Sequence, residues 1–387
     1  MLIFISIIVL LFAIYAFLIE YYRKAWNELP DFEIAESNSN NLKTKTSVII
    51  PVRNEEKNIE HLLESLSQQS YPKDLYQIIV VDDHSTDNTF NLISNFHYDG
   101  LNLISLRLAD FTNNLTTNSY KKFAIETGID HSTGELIITT DADCEMKKDW
   151  LKTIVLFHEK TNAKFIAAPV KINAHESFLS IFQILDFITL QGITGASVFR
   201  NIHSMCNGAN LAYNKNAFFE VNGFKDIDNI PSGDDMFLMH KIYKKYPGNV
   251  FFLKNKNSIV STAPETTWKS FLNQRIRWAS KADKYDDKRI FWVLLLVYIV
   301  NLLFAVLLIA SFWNKIYFAL FFVLGILKIV IEYPFVKTVA IFFEQENLMT
   351  YFPLLQPLHI LYTIIIGWLG KFGSYQWKGR NVLRRKL

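Results

Sequence analysis

Carboxylates stand in pairs where apolar runs of this chain stop. ELIITT leads into Asp141-Ala142-Asp143, and two such side chains can hold a hard divalent cation, Mg²⁺ or Mn²⁺, that also takes diphosphate oxygens. With 19 Asp in 387 residues, roughly one D-x-D arises by chance. Asp226 and Asp228 form a second pair, which reads as a solvated turn. The first pair follows a strand of buried character, where bare carboxylates are a poor choice for stability. QIIVVD runs into Asp82-Asp83, whose like charges repel unless a partner or ligand compensates. Behind them Ser85, Thr86 and Asp87 suit a helix cap. In PVRNE, Asn54 or Glu55 is either a cap or a ligand for a base or ribose. Asp234 and Asp235 open a helical pattern over 234–246. The helix N-terminus favours an ionised Asp235, and Asp234 beside it opposes that.

The elements that carry these residues alternate. SVIIPV (47–52), QIIVVD (77–82), LNLISL (101–106) and ELIITT (135–140) read as strands, with helical periods such as Ile59, Leu62, Leu63 and Leu66 between them. The first, second and fourth are unbroken apolar runs, as expected of parallel strands covered on both faces. An α/β sheet of the doubly wound kind follows, mostly parallel with helices on both faces. Ligands of such sheets sit at the carboxyl ends of the strands, where the acidic pairs are. FIAAPV (165–170), a long apolar helix near 176–197 and a helix over 267–285 come later. Gln274, Arg277 and Trp278 in QRIRW stand at i, i+3 and i+4 and share one helix face. Trp278 can stack on a sugar ring while Arg277 reaches phosphate, or both can lie at lipid headgroup level.

Half of the residues are apolar, with 32 Phe and 17 Tyr, and their distribution is uneven. Residues 2–19 carry no charge and are long enough to span a bilayer. The border Glu20-Tyr21-Tyr22-Arg23-Lys24 marks an uncleaved anchor over 1–24 with its C-terminal side cytoplasmic. A polar linker, 25–45, leads to a cytoplasmic catalytic domain, 46–266. An amphipathic interfacial segment, 267–289, precedes C-terminal membrane helices over 290–370 and a basic cytoplasmic tail, 371–387. Apolar blocks run over 290–312, 316–331 and about 351–369. Three crossings would leave the basic tail outside, and Pro353, Gln356, Pro357 and His359 make the last block a candidate for a re-entrant or interfacial helix. A net charge of +3 does not suggest a nucleic-acid partner. Cys144 and Cys206 are far apart and form no metal or disulfide framework.

SVIIPVRNE, VVDDHSTDNT, TTDADC, SGDDMF and QRIRW, in this order, resemble the inverting family-2 glycosyltransferases. The closer resemblance is to the membrane-bound branch with cellulose, chitin, hyaluronan and poly-N-acetylglucosamine synthases. That resemblance implies a GT-A nucleotide-sugar-binding domain and a divalent metal, Mg²⁺ or Mn²⁺. It implies that Glu55, Asp82 and Asp83 contact the uridine of a UDP-sugar and that Lys122 lies near the donor. Asp141 and Asp143 would be the D-x-D, with Asp143 the direct metal ligand. Asp235 would be the general base, with Asp234 where glutamate is usual. Gln274, Arg277 and Trp278, with Gly208 and Asn210 in CNGAN, would serve acceptor and diphosphate. The acceptor is a saccharide chain or a membrane lipid, reached at the cytoplasmic face of the inner membrane, and an auxiliary subunit is left open. Single-sugar transfer to a lipid carrier and a non-catalytic nucleotide-sugar-binding membrane protein are the alternatives. Lys328, Glu332 and Lys337 would then be read as a pathway through the spans. PVRNEEKN lacks the glycine-rich loop that a sugar nucleotidyltransferase needs.

Overall fold

The computed structural model describes residues 2–34, 42–111, 119–173, 177–203, 205–228, 230, 232–281, 285, 287–373, 375–377 and 380–382. In chain order the elements begin with α1 (Leu2–Glu28), β1 (Thr46–Val52), α2 (Ile59–Ser67), β2 (Tyr76–Asp82), α3 (Thr89–Asn95), β3 (Asn102–Arg107) and α4 (Tyr120–Asp130). Next come β4 (Leu136–Thr139), β5 (Cys144–Met146), α5 (Trp150–Thr161), β6 (Phe165–Ala167), β7 (Val170–Ile172) and α6 (Phe178–Arg200). Then follow β8 (Leu211–Asn214), α7 (Lys215–Glu220), α8 (Asp234–Lys245), β9 (Val250–Phe252), β10 (Val260–Thr262) and α9 (Trp268–Ala279). The chain closes with α10 (Lys288–Ala310), α11 (Lys315–Phe342), α12 (Phe352–Phe372), β11 (Tyr375–Trp377) and β12 (Arg380–Val382).

Two compact units result. A sheet unit holds Pro30–Asn173 and Ser204–Ala263, and a helical unit holds Met1–Leu29, Ala174–His203 and Pro264–Leu387. Residues 174–203, which the sequence reading keeps inside 46–266, therefore pack with the helices. The start of the expected linker is docked: Phe32 donates its N–H to the Lys254 carbonyl (2.9 Å), and its ring meets Phe157 edge-on. Residues 35–41 of that linker, Lys284 and, in the basic tail, residues 374, 378–379 and 383–387 lie outside the described residues.

The main sheet has the order β3-β2-β1-β4-β8-β6-β9. β1 pairs in parallel with β2 and β4, β2 with β3, and β6 with β9, while β8 runs antiparallel to β4 and β6. Every residue of β2 and β4 is buried, as the unbroken apolar runs require, whereas edge strand β3 is exposed at both ends. FIAAPV is not one strand. β6 stops at Ala167, and β7 belongs to a second sheet, β5-β10-β7. Pro169 has no N–H to continue a ladder, and its carbonyl is used off the sheet, accepting from Val260 N–H at 3.1 Å. Gly134 passes the backbone closely: a Cβ there would lie 2.5 Å from the Thr46 carbonyl carbon and 2.6 Å from Ser47 N. Neither can retreat without breaking the start of β1. Gly134→Ala should lower stability by about 1–3 kcal/mol, the range for overpacking. An unchanged melting temperature would show that the backbone there yields.

Among the described residues, five helices are long and apolar enough to cross a membrane: α1, α6, α10, α11 and α12. α6 matches the long apolar helix read near 176–197, and with Gln183 and Gln191 among its buried residues and Asp186 half-buried over the whole residue, it was not counted there among the spans. α11 runs well past the expected 316–331, through Lys328, Glu332 and Pro334. Lys328 Nζ lies 2.6 Å from Glu332 Oε1 and donates to Gln356 Oε1 at 2.8 Å. Gln356 Nε2 donates to Glu332 Oε2 at 2.8 Å, and the Tyr15 hydroxyl donates to Glu332. Charges paired in this way among helices can be kept inside an apolar bundle.

Candidate active site

The acidic pairs converge at the carboxyl ends of the strands. β4 ends at Thr139, and Asp141 follows it into the turn that leads to β5. Asp141 Oδ1 accepts from Lys121 Nζ at 2.7 Å. The same ammonium lies 3.4 Å from Asp234 Oδ2. Asp234 and Asp235 occupy the first turn of α8, after Gly233, whose φ of 84° ends the loop in a conformation that favours glycine. Asp235 Oδ2 accepts the Gly208 N–H at 3.1 Å, and its Oδ1 accepts the Met236 N–H at 2.8 Å. A Cβ on Gly208 would come within 3.4 Å of Lys121 Nζ and 3.5 Å of Asp234 Oδ2. Asp141, Asp234, Asp235, Gly208 and Lys121 thus form one cluster, built from β4, α8, the turn before β8 and α4.

Lys121 is the residue the sequence reading missed. Burial alone would push its pKa down, but Asp141 and then Asp234 outweigh that and hold it above the ordinary lysine value. The neighbouring Lys122 is turned away and buried, with Nζ donating to the Ile227 and Ile230 carbonyls at 2.5 and 2.7 Å. Both lysines sit at the start of α4, on different faces. Of two adjacent helical lysines only one can share a face with the strand ends, and the sequence does not say which.

Asp143 stands beyond Asp141 and is exposed, with Oδ2 accepting from Thr262 Oγ1 at 3.3 Å. Two carboxylates on one turn, one of them facing solvent, fit a cation that fills its shell with water and diphosphate oxygens. Among the described residues no group of three or more His, Cys, Asp or Glu gathers as a complete cage. Cys144, next in sequence, is buried, and burial followed by Asp143 and Asp141 pushes its thiol pKa well up. It packs as a small buried side chain.

The other strand ends hold Asp82, Asp83 and Glu55. Asp82 Oδ2 accepts the Ser85 N–H at 3.2 Å, while its buried Oδ1 has no hydrogen-bond partner. Asp83 accepts a 3.0 Å contact from His84 Nδ1, and Arg53 Nη1 donates to the Asp83 carbonyl at 2.9 Å. These contacts answer the like-charge repulsion that the sequence poses. Glu55 stands just before the start of α2: its carbonyl accepts from the Asn58 and Ile59 N–H groups, and its side chain accepts from Asn58 Nδ2 at 2.7 Å. Asp87 takes the capping part, with Oδ1 accepting the Thr89 N–H at 3.1 Å.

Asn210 does not face the cluster. Its Nδ2 donates to the Pro169 and Ser258 carbonyls, both at 2.8 Å, and its Oδ1 accepts from Trp150 Nε1 at 3.1 Å. With no exposed surface, its side chain serves as an internal tie.

Gln274, Arg277 and Trp278 lie on α9 in the helical unit, all half-buried. The helix starts with a capping box between Thr267 and Ser270. It ends at Ala279, short of the expected 285. Gln274 Nε2 donates to Glu265 Oε1 at 3.1 Å. One face of Trp278 is covered by the Arg275 guanidinium at 4.2 Å, and Arg275 Nη2 lies 2.9 Å from Asp186 Oδ2. The sequence reading passed over Arg275, although an arginine at i+4 from Phe271 on a buried stripe calls for a buried partner.

Two family profiles match the chain: Glycosyl transferase family 2 over residues 47–220 and Glycosyl transferase family group 2 over residues 136–367. The probable glycosyltransferase YdaM of Bacillus subtilis is 27% identical over 240 residues, 61% of this chain and 54% of that protein. The poly(ribitol-phosphate) beta-N-acetylglucosaminyltransferase TarS of Staphylococcus aureus is 30% identical over 128 residues, 33% of this chain and 21% of that protein. The chain thus spans about half or less of the length of these relatives. Among solved structures, the mannosyltransferase PcManGT of Pyrobaculum calidifontis, in complex with GDP-Man and Mn²⁺, superposes with a TM-score of 0.59 at 18% identity. It covers 92% of this chain and 98% of that one.

Proposed function

The chain belongs to glycosyl transferase family 2, and from that premise we propose that it is an inverting, divalent-metal-dependent enzyme that transfers a sugar from a UDP-sugar to a saccharide chain or membrane lipid at the cytoplasmic face. The single observation that carries this reading is the cluster of Asp141, Lys121, Asp234 and Asp235, with the Gly208 amide, at the carboxyl ends of a mostly parallel sheet.

Asp235 takes the proton of the acceptor hydroxyl, in the role of a positioned base. As it does so, the acceptor oxygen bonds to the anomeric carbon from the face opposite the leaving group. The bond to the donor diphosphate breaks, its electron pair stays on the phosphate oxygen, and the configuration inverts. Lys121 offers an ammonium to the charge that develops there. Asp143 and Asp141 would hold Mg²⁺ or Mn²⁺, which would supply Lewis-acid stabilisation of the diphosphate. Asp82, through its unpartnered Oδ1, Asp83 and Glu55 bind the uridine. Gln274, Arg277 and Trp278 act on acceptor or diphosphate in this proposal on the strength of the QRIRW pattern. Single-sugar transfer to a lipid carrier remains the second reading, favoured by the small number of C-terminal helices after the sheet unit.

Incubating detergent-purified protein with a panel of nucleotide sugars and Mg²⁺ or Mn²⁺, then identifying released nucleotide and product, tests the proposal. Asp143→Asn should keep the fold, because the side chain is exposed. It should lower turnover by about 10²-fold or more, since Lewis-acid stabilisation is worth several kcal/mol. Near-normal turnover of that variant at limiting metal would remove Asp143 from the metal site.

A further inference from the structure

Contacts among α1, α10 and α11 fix their relative levels. Phe4 packs on Tyr317, Phe12 on Phe304, Tyr22 on Phe335 and Trp26 on Phe342. Levels can be counted from Glu28 on α1, Lys288 on α10 and Phe342 on α11 at about 1.5 Å per helical residue. Phe4 and Tyr317 then stand at about 36 and 38 Å, Phe12 and Phe304 both at about 24 Å, and Tyr22 and Phe335 at about 9 and 11 Å. The three helices run side by side through one layer, α1 and α11 in the same direction and α10 opposed.

α12 does not share that axis. Phe352 meets Tyr333, Gln356 bonds Lys328 and Glu332, and Gly367 lies against Tyr298. On the same scale Tyr333, Glu332 and Tyr298 all stand at about 14–15 Å, and Lys328 at about 21 Å. From Phe352 to Gly367, α12 therefore advances about 22 Å along its own axis while its level changes by only a few Å. It also follows α9 rung by rung, Tyr362 on Phe271, Ile366 with Ile276, and Gly370 against Ala279. α9 is too short and too polar to cross a bilayer.

The outer stripe of α12 is Leu354, Leu361, Ile365, Trp368 and Phe372, all exposed. Apolar residues with Trp among them and Lys371 at the end suit the headgroup boundary. Glu20, Arg23 and Lys24, where α1 turns from apolar to charged, lie at about 6–12 Å on the same scale, just beside the level of α12. α6 keeps to this end as well. Gly192 lies against Phe335 and Val339, and Arg200 pairs with Glu28, all within about 11 Å of the same ends.

We infer that α12 lies in the plane of the membrane, with its exposed stripe in the lipid interface, so that α1, α10 and α11 alone cross and the chain leaves α12 on the side where α1 ends. Length and hydropathy admit five spans; the contact levels reduce them to three. That count also removes the conflict between three C-terminal crossings and a basic tail on the catalytic face.

The test uses full-length protein in a Cys144→Ser, Cys206→Ser background. Three single cysteines are compared: Glu60→Cys in the sheet unit, Asn314→Cys between α10 and α11, and a cysteine appended after Leu387. In sealed vesicles a membrane-impermeant maleimide should label the appended cysteine in the same proportion as Glu60→Cys and in the opposite proportion to Asn314→Cys. An appended cysteine that tracks Asn314→Cys would mean that α12 crosses, and the inference falls. Depth gives a second reading. A fluorophore on Leu361→Cys should be quenched best by lipids carrying a nitroxide near the headgroup, and strongest quenching from the bilayer centre would overturn it.

Discussion

Asp235→Asn should lower turnover by about 10²-fold or more while leaving donor affinity within a few-fold, the loss expected when a positioned base is removed. The substitution is nearly isosteric. An asparagine keeps one acceptor for the Gly208 N–H that now reaches Asp235 Oδ2 at 3.1 Å, so the turn before β8 keeps its anchor. What disappears is the capacity to take a proton. Donor contacts are assigned to other strand ends, Asp82 after β2 and Asp141 after β4, and those remain. Asp234→Asn is the internal control. Asp234 faces Lys121 at 3.4 Å, so its loss weakens the hold on that ammonium without removing a base, and the effect on turnover should be smaller. Calorimetric titration of UDP-sugar with Mn²⁺ alongside turnover separates the roles. If donor affinity collapses in the Asp235 variant, that residue is a donor ligand and the proton must go elsewhere.

The second large effect is on stability. Arg275→Met should destabilise the helical unit by about 3–5 kcal/mol, because removing one partner of a buried pair leaves the other charge uncompensated. Arg275 and Asp186 are both buried, and the remaining basic neighbour, His359 Nε2, is 4.0 Å from Asp186 Oδ1. Replacing both, as Arg275→Met with Asp186→Leu, should recover most of the loss, since an apolar pair of similar volume is often neutral in such places. Thermal unfolding of the three proteins in one detergent decides it. A double variant as unstable as the single one would mean that Arg275 acts through its stacking on Trp278 and Phe271 rather than through charge.

Periodicity made the sheet legible and left the helices half-read, for a physical reason. β1, β2 and β4 are covered on both faces, so their sequences are continuous apolar runs that end where the acidic turns begin. Asp82, Asp141 and Asp235 were visible because charge at such a boundary has little structural use. Lys121 and Lys122 were not separable, since adjacent residues differ only in the face that tertiary packing selects. Asn210 entered as a ligand only through the family resemblance of CNGAN; its three internal side-chain hydrogen bonds depend on strands and loops distant in sequence. In the helices, the expected span stopped before Glu332, although Glu332 is buried together with Lys328 at i, i+4. α6 was read as a long apolar helix but not as a candidate span, because Gln183, Asp186 and Gln191 interrupt its apolar run.

The bonds of Asn210 to Pro169, Ser258 and Trp150 have a consequence for rate. They fasten the floor two residues from Gly208, whose amide orients Asp235. The carboxylate is therefore aimed before any substrate arrives. With Asp235 in its proposed role as base, little reorganisation energy is left to be supplied during the transfer itself, and binding energy from the acceptor need not be diverted to ordering its proton acceptor.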